Sequence, residues 1–320
     1  MPHQNANNTK ITVMSYWFSS NPVLRQEILS LFSNVTFQDE PIVRTTDELI
    51  DHLRHSRGMM LGADNITADV LRGLPELEII SVFGSGMDNL DVDFARSQNI
   101  KIGCSTGVNA VSVAEQTLAL MIGLCRKLFF NHMALKNGEW REEDGGWDLR
   151  GRTVGIVGCG STGSALLKVL QPFDCNVLLH DIADVSELAD RYRARQVDFE
   201  HLLSHADLIS LHVPLMASTH HLIGAEQLHL MKSSAYLINV SRGAVVNQDA
   251  LRTALINGEI AGAALDVFDP EPPTDTSFLS LPNLVLTPHT AGGSDDAVLA
   301  MGRSAIAHLA QYFLDGGKND

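Results

Sequence analysis

The chain has 320 residues, of which 45% are hydrophobic and 19% charged, and its formal net charge is −15 at pH 7. That length allows two domains with separate cores, and the acidic balance argues against nucleic acid or an anionic membrane as a partner, since both recruit clustered Lys and Arg. Cys104, Cys125, Cys159 and Cys175 lack metal-ligand spacing and read as reduced thiols of a cytoplasmic protein, with no metal expected.

Residues 1–10 are polar and lack the apolar core of a signal peptide. Apolar runs at 11–16, 35–37, 59–61, 79–83 and 100–102 read as strands, and helical spacing falls over 22–32, 47–55 and 67–74. This alternation predicts a parallel sheet covered by helices on both faces. The loop 83–89 puts Gly84 and Gly86 at the carboxyl end of a strand, where main-chain amides can face an anion; a plain turn accounts for the glycines about as well.

From Asn109 the apolar positions of 111–138 run all round, which predicts one long helix, buried on most faces and closed by a left-handed Gly138. Its apolar part, 111–125, contains Glu115 and Gln116 and is too short to span a bilayer. Residues 139–150 read as a loop arm, with Trp140 and Trp147 either joining a dimer contact or packing on their own domain.

Residues 153–181 carry the strongest local signal. An apolar strand breaks into Gly158-Cys159-Gly160-Ser161-Thr162-Gly163, a helix-patterned segment runs to Leu170, and a second strand at 176–179 leads to Asp181. Gly158 suits the tight turn, Gly160 the close approach of a pyrophosphate, and Gly163 the packing of helix on sheet. The helix N-terminus then holds phosphate. A carboxylate at Asp181 can accept from both ribose hydroxyls and repel a 2′-phosphate, so NAD is expected rather than NADP.

The rhythm continues with helices over 198–204, 225–231 and 248–257 and strands over 208–213, 236–240, 262–267 and 284–287, and a last helix covers 294–314. The expected architecture is α/β: two Rossmann-like domains with doubly wound parallel sheets, the nucleotide-binding domain (110–290) inserted into a flavodoxin-like substrate domain (1–109 plus 291–320), with the active site in a cleft between them. Arg242, Glu271 and His289 each follow a strand of the nucleotide domain. Singly, each could be a solvated loop residue. Together they suit interconversion of a 2-keto and a 2-hydroxy acid: a guanidinium grips a carboxylate, an imidazolium protonates the carbonyl oxygen, and a carboxylate sustains the charged imidazole.

The segments GSGMDNLDV (84–92), SVAEQTLALM (112–121), GIVGCGSTG (155–163), ADLISLHVPL (206–215), LINVSRGAVVN (237–247), AALDVFDPEPP (263–273) and NLVLTPHTAGG (283–293) resemble the D-isomer-specific 2-hydroxyacid dehydrogenase family over essentially the whole chain. The resemblance implies that Arg242 binds and orients substrate, that Glu271 and His289 form the acid–base pair, and that the amides of Ser85 and Gly86 hold the substrate carboxylate. It also implies NAD contacts from Gly158, Gly160, Ser161, Thr162, Gly163, Asp181, Val213, Val240, Asp266, His289 and Gly292, and a homodimer formed through the NAD-binding domain. Ser161 and Thr162 depart from the basic and branched residues frequent there. Members acting on 3-phosphoglycerate tend to carry an Arg around 59–62, where this chain has Met-Met-Leu-Gly. Glyoxylate, hydroxypyruvate or another short unphosphorylated acid is therefore expected ahead of D-3-phosphoglycerate. Formate or phosphite oxidation is disfavoured by Glu271, where formate-oxidising relatives pair the histidine with Gln. An NADH-sensing corepressor-like binding protein is the alternative of another class.

Overall fold

A computed structural model describes residues 7–42, 44–140 and 145–315. The chain divides into two compact units, the first running to Asn109 and resuming at Asp295, the second spanning Ala110–Ser294.

In the first unit five strands, β1 (Asn7–Val13), β2 (Phe32–Phe37), β3 (Gly58–Leu61), β4 (Ile79–Val82) and β5 (Lys101–Gly103), form one parallel sheet in the order β2-β1-β3-β4-β5. Strands β3 and β4 are GMML and IISV, buried at every position, as expected where helices cover both faces. One core joins Leu49, Leu53, Met59, Leu61 and Ile80; the other joins Ile11, Val13, Met60 and Ile79 to Met301, Ala305 and Leu309 of the helix Asp295–Phe313. The strand order reverses direction between β1 and β3, the point at which ligands of open α/β sheets bind. β1 stops at Val13, short of the expected 16, because Ser15 caps a short helix, Tyr16–Ser19.

The second unit holds β6 (Thr153–Val157), β7 (Asn176–His180), β8 (Arg195–Gln196), β9 (Leu208–Leu211), β10 (Tyr236–Asn239), β11 (Gly262–Leu265) and β12 (Leu284–Leu286), all parallel, in the order β12-β11-β10-β9-β6-β7-β8. The order switches between β6 and β9. Leu120, Leu124, Leu166 and Leu170 pack on one face, and Leu202, Leu228, Leu251 and Leu255 on the other. The two-residue β8 is an edge strand that no apolar run announces.

The long helix expected over 111–138 is two helices, Ala110–Cys125 and Leu128–Lys136, bent by 64° at the break. Lys127 adopts a left-handed φ of 51° there. The first helix buries nine of its residues and the second buries none, so the expectation of burial on most faces fails for the second half. Gly138, at φ 85°, closes it, with its N–H donating to Leu135 O. The two tryptophans divide: Trp147 packs against the core beside Tyr236, under the guanidinium of Arg152, whereas Trp140 is 79% exposed. Residues 141–144 of the proposed arm lie outside the described residues.

The chain leaves this unit after Ser294, later than the expected 290, because the turn that follows β12 is tied into it: Ser112 Oγ donates to Ala291 O at 2.7 Å and accepts from Ser294 N at 3.4 Å.

Candidate active site

The glycine turn sits at the switch point of the second sheet. Gly158 has φ 91°, and a Cβ there would stand 2.8 Å from the main-chain carbon of His212, in the loop after β9. A Cβ on Gly163 would meet Gly158 O at 2.1 Å. Neither position admits another residue without moving backbone. Gly160, by contrast, faces open space and caps the helix Ser161–Leu170 without any side-chain bond to its first amides. An uncapped helix start with nothing over it is a seat for phosphate oxygens. Ser161 is exposed and Thr162 half-buried at that start.

Asp181, just beyond β7, accepts from Cys159 N through Oδ2 at 2.7 Å and from Ala183 N through Oδ1 at 2.9 Å. The acid expected at the ribose thus also tethers the phosphate turn. Val213 is half-buried in the loop after β9, and Val240 is buried after β10.

Arg242, Glu271 and His289 gather at the carboxyl ends of β10, β11 and β12. His289 Nδ1 lies 2.7 Å from Glu271 Oε2, and Glu271 Oε1 accepts from Phe268 N at 2.9 Å. A carboxylate only accepts, so Nδ1 carries the proton and Nε2 is the nitrogen left to exchange a proton with a ligand. The bond from Glu271 raises the imidazole pKa against the opposing effect of burial, with the Glu271 charge adding to the rise and Arg242 working against it. Burial pushes the Glu271 carboxyl up, but the bonds from His289 and Phe268, together with the charges of His289 and Arg242, outweigh it and leave the pKa below its ordinary value. Arg242 therefore acts on both members of the pair. Its Nη1 donates to Ser241 O at 2.8 Å, and its turn packs closely on the Glu271 loop, since a Cβ on Gly243 would fall 2.0 Å from Phe268 O.

Asp266, fully buried at the end of β11, holds the histidine turn. Its carboxylate accepts from Gln116 Nε2 (2.9 Å), Thr287 Oγ1 (2.5 Å), Thr290 N (2.9 Å) and Ala291 N (2.9 Å), and its main-chain O accepts from His289 N at 2.7 Å. These bonds fix the turn in which His289 takes φ 52° and Gly292 follows, half-buried. Gln116 escaped the sequence reading because a polar residue in an apolar helix looks like its solvent face; Thr287 likewise looks like a strand end.

In the first unit, Ser85 and Gly86 lie in the loop after β4, and their main-chain N–H groups make no hydrogen bond to the described residues. Asn89 Nδ2 braces that loop, donating to Gly62 O and Asp64 O at 2.9 Å each.

Residues 118–291 match the family model described as D-isomer specific 2-hydroxyacid dehydrogenase, NAD binding domain. A glyoxylate reductase of Thermococcus litoralis is 34% identical over 295 residues, covering 89% of each chain. The chain belongs to the D-isomer specific 2-hydroxyacid dehydrogenase family. A D-3-phosphoglycerate dehydrogenase of Methanocaldococcus jannaschii is also 34% identical to this dehydrogenase, over 92% of the chain and 56% of the relative. The D-lactate dehydrogenase of Aquifex aeolicus, solved with NAD and lactic acid, superposes with a TM-score of 0.84 at 25% identity, covering 97% of this chain and 96% of that one.

The second unit of the dehydrogenase is accordingly its NAD-binding domain, and the uncapped helix start, the open Gly160 and the acid at Asp181 fit that cofactor. NAD supplies the hydride chemistry; the protein supplies position, charge and a proton. Among the described residues no group of three or more His, Cys, Asp or Glu could hold a metal ion, all four cysteines are free, and no single helix is long and apolar enough to cross a membrane. Burial pushes the thiols of Cys125 and Cys159 up to about 12, so neither is a nucleophile near neutral pH.

Proposed function

We propose that this dehydrogenase reduces small unphosphorylated 2-keto acids of the glyoxylate and hydroxypyruvate kind to D-2-hydroxy acids with NADH. The observation that carries the reading is the 2.7 Å bond between His289 and Glu271 with the Arg242 charge acting on both. Arg242 binds the acid's carboxylate and polarises its carbonyl; the amides of Ser85 and Gly86 share the carboxylate. His289 Nε2 gives its proton to the carbonyl oxygen, and Glu271 offsets the charge lost and regained at the ring. Pyrophosphate binds at Gly158, Gly160, Ser161, Thr162 and Gly163, ribose at Asp181, and the nicotinamide end at Val213, Val240, Asp266 and Gly292.

Two observations favour an unphosphorylated acid. Relatives that align over most of both chains include glyoxylate reductases and a hydroxypyruvate reductase. Gly62, in the stretch where phosphoglycerate enzymes tend to carry Arg, has no room for a side chain, since a Cβ there would stand 2.5 Å from Met14 O. Following NADH oxidation with glyoxylate, hydroxypyruvate and the 3-phosphate of hydroxypyruvate tests the reading. Turnover of the first two well above the third is expected, and a protein that binds NADH but turns over none of them overturns it.

We infer further that the enzyme is a cytoplasmic homodimer joined through its NAD-binding unit. Leu128, Met133 and Leu135 on the helix Leu128–Lys136 are each more than half exposed, as are Val111 and Trp140, and an apolar face of this kind supports association. Light scattering after size exclusion should give twice the monomer mass.

A further inference from the structure

We propose that Asp64, by neutralising Arg44 at the switch point of the first unit's sheet, restricts this enzyme to acids whose tail carries no second negative charge. The inference rests on the reading of the first unit as the acid-binding one, and it adds the residues that select the acid.

Arg44 comes from the loop after β2 and Asp64 from the loop after β3. β1 lies between those strands, so the pair reaches across the carboxyl end of β1 to the β1/β3 switch point. Arg44 Nη1 stands 3.8 Å from Asp64 Oδ1, and the side chains are only 9% and 8% exposed. Arg44 Nη1 also donates to Gln38 Oε1 at 3.0 Å, and Gln38 is itself buried. The main-chain oxygen of Asp64 shares the Asn89 amide with Gly62, so the pair is fastened to the loop that carries Ser85 and Gly86.

A guanidinium at this place would attract a second anionic group on the substrate. With a carboxylate 3.8 Å away in desolvated surroundings, its field is largely cancelled. The turn after β3 offers no replacement at Gly62, because the backbone at Met14 fills the space a side chain there would need. Asp64 thus acts against the wrong substrate, in the manner of an element of negative specificity.

The test compares kcat/KM for hydroxypyruvate and for its 3-phosphate in the wild type, Asp64→Asn, Arg44→Gln and the double variant. Asp64→Asn should raise the ratio of phosphorylated to unphosphorylated activity by roughly tenfold by unmasking the cation. Arg44→Gln should lower it, and the double variant should return it towards the wild type. A ratio that stays put in every variant, or an equal fall in both activities, overturns the assignment. If Asp64→Asn fails to fold, the fall expected for Arg44→Gln decides the matter alone. Wild-type protein inert towards glyoxylate and hydroxypyruvate would sink the proposed function itself, whereas an active wild type with an unmoved ratio sinks only the role of Asp64.

Discussion

His289 Nδ1 sits 2.7 Å from Glu271 Oε2, and the partnership raises the pKa of the imidazole while Glu271 stays below its ordinary range. Keto-acid reduction needs the imidazolium, so the raised pKa extends the active range towards alkaline pH. Replacing Glu271 with Gln removes the charge and most of that support. The alkaline limb of the kcat/KM profile for reduction should then move to lower pH, and the profile for oxidation, which needs the neutral ring, should rise at lower pH. Profiles that superpose on the wild type would show that Glu271 does not set the ring's ionisation. Linkage adds a second readout: because the folded pKa of His289 is raised, the charged ring's contribution to stability is full below the unfolded histidine pKa while Glu271 stays ionised and fades as pH rises through the folded one, and Glu271, whose folded pKa is lowered, loses its share as pH falls through that lowered value.

His289→Ala removes the proposed proton donor and leaves the proposed pyrophosphate and ribose seats, at Gly158–Gly163 and Asp181, untouched. Turnover should fall by roughly 100- to 10,000-fold, the range for a positioned acid–base group, while NADH fluorescence titration shows a far smaller loss of affinity. A loss confined to KM would assign His289 to binding.

Much of this was readable from the chain because the two signals involved are local. A strand, a glycine turn, a helix and an acid in the order 153–181 can fold in few ways, and runs such as GMML and IISV are too apolar for anything but a covered sheet. The bend at Lys127 was not readable: no Gly or Pro stands at the break, Gly123 four positions earlier shows only in the fold as the place where Phe129 packs back, and apolar residues look the same in sequence whether they lie in a core or are exposed, as Leu128, Met133 and Leu135 are. Gln116 and Asp266 are 150 positions apart. Only the fold places an amide from the first helix of the unit on a carboxylate at the end of its sixth strand, so no pattern of spacing could have paired them.

That pairing has a measurable stability. Asp266 is fully buried, and Gln116 is one of the four donors to its carboxylate. Gln116→Leu keeps the bulk and removes a hydrogen bond to a charged group, which costs about 1–3 kcal/mol. Urea denaturation should show a lower midpoint with an unchanged slope, and kcat should drop as the histidine turn loosens. A midpoint equal to the wild type's would mean that the other three donors suffice.

Asp181 combines two duties that substitution can separate. Its carboxylate is the proposed partner of the ribose, and it also accepts the Cys159 and Ala183 amides at 2.7 and 2.9 Å. Asp181→Asn keeps a side-chain oxygen for one of those amides but removes the negative charge, so discrimination against NADPH should weaken with little loss of melting temperature. Asp181→Ala removes charge and acceptors together. The ratio of kcat/KM for NADPH to that for NADH should then rise by roughly tenfold, while the melting temperature falls because a main-chain N–H of the phosphate turn loses its partner. If both variants lose stability and neither moves the ratio, Asp181 is a tether of the turn alone, and discrimination between the cofactors resides in another residue.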